Sequence, residues 1–267
     1  MTGTSTGNHV ISLSGGKDST AMLLMMLERG ENIHSAVFFD TGWEFPGMLE
    51  HIDRIEEYTG ISIVRLKPDN PFTYWMFEKP IKKLSGPDKG KIHRIGNSWP
   101  SPYRRWCTRI KVRAINNFIK KIKNPVSCIG YAADEAHRSN SKHIVDAIKK
   151  GQKIRFTLIE WDISEPEALQ YCYDRGFDWD GLYEHFNRVS CFCCPLQRIG
   201  DLKRLRKYYP DLWQQMLQWD AMAPEHNRGF RGYQTVRNLE ERFKHEESLL
   251  TYLEKINNKE ITKWQEA

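Results

Sequence analysis

The run Ser14-Gly15-Gly16-Lys17-Asp18-Ser19 is the most chemically specific stretch of this chain. Two adjacent glycines allow a tight turn that aims several backbone N–H groups at one point. A helix beginning directly after them adds its positive N-terminal end, so the segment is suited to seating a polyanion such as pyrophosphate. Lys17 supplies a point charge, and the Ser14 and Ser19 hydroxyls add donors. Glycine-rich turns between strands and helices are common and most bind nothing. Six specified residues at the first strand-to-helix junction outweigh that plainer reading. The spacing excludes a Walker A loop, which needs four residues between its glycine and Gly-Lys, and it is not a G-x-G-x-x-G fingerprint.

Thiols form the second chemical set. Cys191, Cys193 and Cys194 crowd into Ser190-Cys191-Phe192-Cys193-Cys194-Pro195, and Cys107 lies upstream in Arg105-Trp106-Cys107-Thr108. Cys191-x-x-Cys194 places two thiolates on one turn, and thiolate-rich sites suit zinc or iron–sulfur clusters. A lone C-x-x-C is equally a redox pair or an accident. Three cysteines in four positions, with Cys107 beside them as a candidate, favour a metal. Cys128 in a strand pattern and Cys172 in a helical one read as small buried hydrophobes.

These groups need a scaffold. Strand-like segments at Val10–Leu13, Ser35–Phe39, Ile61–Leu66, Val126–Ile129 and Ile154–Glu160 alternate with helical patterns at Lys17–Arg29, Pro46–Tyr58 and Thr108–Lys123. Leu49, Ile52 and Ile55 show the three-residue recurrence of one buried helix face. That order predicts an α/β fold, a Rossmann-like parallel sheet with helices on both faces and ligands at the carboxyl ends of its strands. The glycine loop, Asp40 and Gly130 each follow a strand and are expected at one crevice. Between Pro68 and Pro102 the pattern breaks, which predicts a mobile loop, a candidate lid. Ser164 with Glu167 forms a capping box, and Gly176 a stop. Leu202, Leu205, Tyr209, Leu212 and Met216 trace an apolar stripe, with Pro210 as a break or fresh start. Leu239, Phe243, Leu250, Leu253 and Ile256 mark a final amphipathic helix. The expected organisation is a nucleotide-binding domain over 1–196 and a helical C-terminal extension over 197–267.

Composition sets limits. The 267 residues are 40% apolar with nine tryptophans, enough for a substantial core. Met1 to His9 shows no apolar signal region, and the longest apolar run, Ala21 to Leu27, is too short to span a bilayer, so a cytoplasmic protein without membrane association is expected. Six cysteines in such a chain argue for metal or redox chemistry over disulfides. The net charge of +6 is unevenly spread. No acidic residue separates Asp88 from Asp134, a stretch carrying Lys89, Lys91, Arg94, Arg104, Arg105, Arg109, Lys111, Arg113, Lys120, Lys121 and Lys123. A second basic cluster comprises Arg198, Lys203, Arg204, Arg206 and Lys207. For any single lysine a solvated face is the simpler account; the whole stretch points to phosphates, those of a nucleotide or of a nucleic acid.

The glycine loop resembles the PP-loop of the ATP pyrophosphatases, which split ATP into AMP and pyrophosphate while adenylating a substrate. Phe39-Asp40-Thr41-Gly42-Trp43-Glu44-Phe45-Pro46 resembles the D-T-G-x-x-x-P stretch of that superfamily's phosphoadenosine-phosphosulfate (PAPS) reductase-like branch. Gly130-Tyr131-Ala132-Ala133-Asp134-Glu135-Ala136-His137-Arg138 is similar to the branch's G-x-R-x-x-E-x-x-R segment, with Tyr131 or Ala132 where arginine is usual. The cysteine motifs resemble those of its iron–sulfur members, with Trp106 in place of the first of two adjacent upstream cysteines. The matches run in family order from residue 9 to about 196.

The resemblance implies ATP bound along Leu13, Ser14, Gly15, Gly16, Lys17, Asp18, Ser19, Phe39 and Gly130. Lys17 and Arg138 would offset charge on the leaving pyrophosphate, and Asp18 or Asp40 would hold Mg²⁺. A 4Fe–4S cluster is expected on Cys107, Cys191 and Cys194, with either Cys193 or an open iron as the fourth position; zinc is the alternative occupant. The open arrangement resembles ATP-dependent tRNA thiolases. No cysteine follows Cys194, where sulfonucleotide reductases keep their nucleophile, and the phosphate loop is intact, which argues against PAPS reduction. The implied activity is ATP-dependent sulfur transfer to a nucleic acid. The acceptor is tRNA or, by resemblance to the Dnd-system protein of DNA phosphorothioation, DNA. A sulfur donor such as a cysteine desulfurase, and a homodimer, are compatible. The alternatives are an AMP-forming or adenylyl-transferring enzyme acting on a small molecule, and a non-catalytic nucleic-acid-binding subunit.

Overall fold

A computed structural model describes residues 7–223 and 229–265. Along the chain come β1 (Asn8–Leu13), α1 (Lys17–Glu28), β2 (Ile33–Phe39), α2 (Gly47–Thr59) and β3 (Ile63–Leu66). A π-helical turn at Tyr74–Glu78 precedes β4 (Pro80–Lys82) and β5 (Ile92–Ile95). Then follow α3 (Trp106–Ile119), β6 (Pro125–Ile129), a 3-10 segment at Ala133–Asn140, α4 (Lys142–Lys149), β7 (Lys153–Arg155) and α5 (Thr157–Glu160). α6 (Glu165–Tyr173), a 3-10 turn at Trp179–Gly181 and α7 (Leu182–His185) lead to α8 (Ile199–Tyr208), α9 (Pro210–Met222) and α10 (Val236–Gln265).

The chain forms two compact units, one from residues 1–72 with 106–194, the other from 73–105 with 195–267. The first unit is built on a parallel sheet ordered β3-β2-β1-β6-β7. β1 is central, pairing Ile11 with Ala36 of β2 and with Cys128 of β6, and Val10, Ile11 and Leu13 are buried. Such a strand is covered on both faces and reads as an apolar run without alternation. Strand order reverses at β1, so right-handed crossovers put α1 and α2 on one face and α3 on the other. The doubly wound α/β fold expected from the sequence is the fold observed. Its reversal point lies between β1 and β6, whose carboxyl ends carry the glycine loop and Gly130.

Two local expectations are corrected. Residues 154–160 read as one strand, but β7 ends at Arg155 and the chain turns into α5. Arg155 fixes that turn through Glu160 at 2.8 Å and Glu31 at 2.9 Å. Residues 68–102, expected as a mobile loop, instead hold the π-helical turn and an antiparallel hairpin pairing Ile81 with Arg94. Pro80 is tolerated because it opens β4, the position where a strand can spare a donor. Gly96 sits so close to the Met76 carbonyl that an added Cβ would lie 2.3 Å from its oxygen.

The helical second unit uses much of its charge internally. Lys203 and Arg242 both reach Glu246, Arg206 reaches Glu240 at 2.7 Å and Glu247, and Arg204 reaches Asp201 at 2.8 Å. Lys203 and Arg206 of the second basic cluster thus brace α8 against α10, while Arg204 pairs within α8. Phe243 packs on Trp213 at 5.7 Å, while Leu250 and Leu253, further along the stripe, are exposed. Among the described residues no helix is long and apolar enough to cross a membrane.

Candidate active site

β1 ends at Leu13, whose side chain is buried, and hands the chain to the glycine loop. Gly15 has φ +80°, and an added Cβ would lie 2.3 Å from Met48 Sδ, so both conformation and space require glycine. Gly16 caps α1. Ser19 Oγ donates to the Gly16 carbonyl at 3.0 Å, accepts from the Ser14 N–H at 3.1 Å and lies 3.0 Å from Ser14 Oγ. The two serines thus close the loop on itself. Gly130 passes so near that its added Cβ would be 3.0 Å from Ser19 Cα. The structure brings Ser14 through Ser19 and Gly130 together.

The loop is buttressed by residues with no local sequence signal. Trp179 Nε1–H donates to the Gly15 carbonyl at 2.7 Å, and the Lys17 N–H donates to the Tyr183 hydroxyl at 2.8 Å. Trp179 and Asp180 adopt φ of +53° and +51°, a left-handed turn that only a fixed surrounding sustains in non-glycine residues. Below the loop, His51 meets Thr20 Oγ1 at 3.2 Å and lies against the Trp179 ring. Burial drives the His51 pKa down to about 3, so the ring is neutral.

Lys17 is buried and held by the carboxylates of Glu165 and, at 3.3 Å, Asp18. Burial raises the Asp18 pKa to about 6, with Glu165 and Glu135 adding repulsion and Lys17 opposing. Asp18 Oδ1 is buried and has the Lys17 ion pair at 3.3 Å in place of a hydrogen bond. Glu165 was missed in the sequence, although the Ser164 capping box, present as expected, places it in the first turn of α6. Arg138 ion-pairs with Glu135 and lies 4.1 Å from the Tyr131 ring.

β2 ends at Phe39, a core side chain packed on Phe72. In the loop that follows, Asp40 Oδ1 accepts from the Gly42 N–H at 2.9 Å and Oδ2 pairs with Lys67 at 3.2 Å. Thr41 donates to Glu44 at 2.6 Å and lies 3.6 Å from Cys191 Sγ. The Phe192 N–H donates to the Trp43 carbonyl at 2.9 Å. The Asp40–Glu44 loop is thereby tied to the cysteine segment. Thr41 and Glu44 lie inside a stretch already singled out, yet their part in it was not.

Cys107 lies in the first turn of α3, and Cys191 to Cys194 form a turn in which the Cys194 N–H donates to the Cys191 carbonyl at 3.2 Å. Cys194 adds to the rise in the Cys107 pKa, and Cys191, Cys194 and Cys107 all add to that of Cys193. Burial pushes Cys191 up to about 12, with Glu44 adding to the rise, and raises Cys107 and Cys193 as well. Trp106 packs edge-on against Trp43 and Phe72, making an aromatic wall where the upstream cysteine pair would begin. Among the described residues, no three His, Cys, Asp or Glu side chains close into a group that could hold a metal ion. Cys128 and Cys172 are buried.

The acid-free stretch falls in both units, Lys89 to Arg105 in the second and Arg109 to Lys123 in the first.

The model of the phosphoadenosine phosphosulfate reductase domain matches residues 8–197. The chain belongs to that family. Two Methanocaldococcus jannaschii proteins are similar to this family member. Uncharacterized protein MJ0066 is 29% identical over 82% of this chain and 43% of its own length. Uncharacterized protein MJ0973 is 22% identical over 76% of this chain and 45% of its own. The chain thus spans less than half the length of these curated relatives. Among solved structures, the U34-tRNA thiolase NcsA from Methanococcus maripaludis, with its 4Fe–4S cluster, aligns with 89% of this chain and 73% of that one. The identity is 17% and the TM-score 0.43.

Proposed function

We propose that this member of the reductase-domain family is an ATP-dependent sulfurtransferase that adenylates an acceptor, a tRNA or DNA, and then thiolates it. The observation that carries the reading is the tie between the Asp40–Glu44 loop, beside the phosphate loop in the sheet, and the Cys191 turn. An intact phosphate loop and a thiol-rich turn so joined suit activation followed by sulfur delivery.

ATP would seat its phosphates over Gly15 to Ser19 at the N-terminus of α1. An acceptor oxygen attacks the α-phosphorus and the bond to pyrophosphate breaks; sulfur then attacks the adenylated carbon and AMP leaves. Lys17, held in place by Asp18 and Glu165, offsets charge gathering on the departing pyrophosphate. Arg138 does the same from the segment after β6. Asp18 or Asp40 would hold Mg²⁺, since each is a carboxylate next to the phosphate seat; Asp18 pairs with Lys17 and Asp40 with Lys67, contacts a hard cation would have to share. Cys107, Cys191 and Cys194, with Cys193 as the candidate fourth, fit a 4Fe–4S cluster. Such a cluster supplies, when bound, a site that can hold or pass on sulfur.

The test is the product of ATP cleavage. AMP and pyrophosphate are expected, and Lys17→Ala is expected to lower turnover about a hundredfold or more with the fold intact. Release of ADP and orthophosphate by the wild-type protein refutes the assignment. Mass spectrometry of nucleosides from cells with and without the protein then identifies the thiolated position. Thiolation of a small molecule alone, with no nucleoside change, moves the reading to the small-molecule alternative.

A further inference from the structure

The second unit contains a cavity of about 630 Å³ whose lining includes Arg94, Trp99, Tyr103, Arg104 and Gly232. We propose that this cavity binds one nucleotide of a single-stranded nucleic acid, its phosphate on Arg94 and Arg104 and its base against Tyr103. The inference rests on the reading that the acceptor is a nucleic acid, and it assigns where that acceptor is gripped.

Charge is the first argument. Arg94 projects from β5, is part-buried, and its Nε–H has no hydrogen-bond partner. Arg104 sits close enough for the two guanidiniums to repel, and the cavity is lined by no carboxylate. Asp220, behind Trp99, is engaged by the Trp99 indole N–H at 3.1 Å and the Arg237 N–H at 3.2 Å. Two like charges beside an unsatisfied buried donor are costly until an anion arrives. A planar fork is also the geometry that grips a phosphate at two points.

Shape is the second. The volume exceeds what an inorganic phosphate fills and falls in the range of small-ligand sites. Trp99 is buried against Phe230 at 4.9 Å and Trp219 at 6.2 Å, so it forms a rigid wall. Gly229 and Gly232 bridge each other on the opposite rim and present backbone without side chains, leaving room for a flat ring. Tyr103 is 89% exposed, an unusual placement for a large aromatic. An open ring beside paired arginines is how single-stranded bases are caught, by stacking plus backbone charge. A duplex keeps its bases stacked and cannot offer one to the cavity.

Fluorescence anisotropy with labelled single-stranded RNA and DNA decamers, their duplexes and free AMP as competitor tests this on the full chain without ATP. Single strands are expected to bind better than duplexes. Tyr103→Ala should weaken them about tenfold. Arg94→Gln with Arg104→Gln should weaken them further and lower the salt slope by about two. Thermal melting of each variant confirms that it folds. Unchanged binding in both variants, or a preference for duplex, overturns the proposal. Tight AMP binding with no oligonucleotide binding also overturns it, in favour of a free-nucleotide site. AMP and pyrophosphate formation is followed on the same preparations. Loss of oligonucleotide binding in the variants supports the cavity whether or not that cleavage occurs, so the two readings fail separately.

Discussion

The Trp179 indole N–H donates to the Gly15 carbonyl at 2.7 Å, joining two residues 164 positions apart. Gly15 holds a left-handed turn that points the loop's N–H groups one way, and its carbonyl must face the other. Buried Trp179 satisfies that carbonyl from behind. The phosphate loop is thus preset from the far side of the chain.

Trp179→Phe keeps a six-membered aromatic ring but removes the donor and the indole's second ring. It should cost more stability than the penalty of about 1–3 kcal/mol for a stranded buried carbonyl, because a cavity is added, and raise KM for ATP more than it lowers kcat. Denaturant melts and AMP-formation kinetics check both. An unchanged KM would show that the loop holds its shape without this bond.

Gly15→Ala faces both the positive φ and Met48 Sδ. ATP binding should fall at least tenfold, and pairing with Met48→Ala should recover only the steric part, since the strained dihedral remains. Calorimetric titration of ATP into the single and double variants measures the split. Full recovery in the double variant would assign the whole effect to the sulfur contact.

His51 gives a pH signature. Its folded pKa of about 3 lies below the ordinary 6.5, because burial disfavours the imidazolium. The unfolded chain therefore binds a proton that the folded one refuses between these values. Stability from this group is complete above pH 6.5 and is lost as pH falls toward 3, by about 1.4 kcal/mol per unit at most. His51→Gln should flatten denaturant-derived stability against pH in that window. An identical slope in the variant would sink the assignment.

For the thiols, iron and acid-labile sulfide are expected in anaerobically purified protein. Cys107→Ser, Cys191→Ser and Cys194→Ser should each abolish the visible absorbance. Cys193→Ser separates the two fourth-ligand arrangements, since retention of full iron assigns an open site. Stoichiometric zinc without sulfide would reject the cluster.

Much of the sheet was legible because central parallel strands are apolar runs punctuated by glycines, as Val10–Leu13 before Gly15 shows. The loop and the cysteines were legible because their chemistry is local. Trp179, Tyr183 and Glu165 were not, since each acts across more than a hundred positions and no periodicity marks such a contact. Nor was the brace that Arg206 makes with Glu240 and Glu247, 34 and 41 positions further along. Prolines and glycines hid the β4–β5 hairpin, which ends at Gly96 packed against a carbonyl rather than in free loop.

The split make-up of the second unit has a consequence for biosynthesis. Residues 73–105 are made before β6 and β7, but the helices that complete their unit follow those strands. Trp99 must wait for Trp219 and Phe230 while β6 and β7 are still being translated. During that interval the hairpin, with Trp99 just beyond it, is without its cover, a window in which nascent chains attract chaperones or one another. A chain stopped at Cys194 would keep every strand of the parallel sheet and all six cysteines yet leave that hairpin permanently bare. Premature termination should therefore yield aggregation in place of a smaller working enzyme.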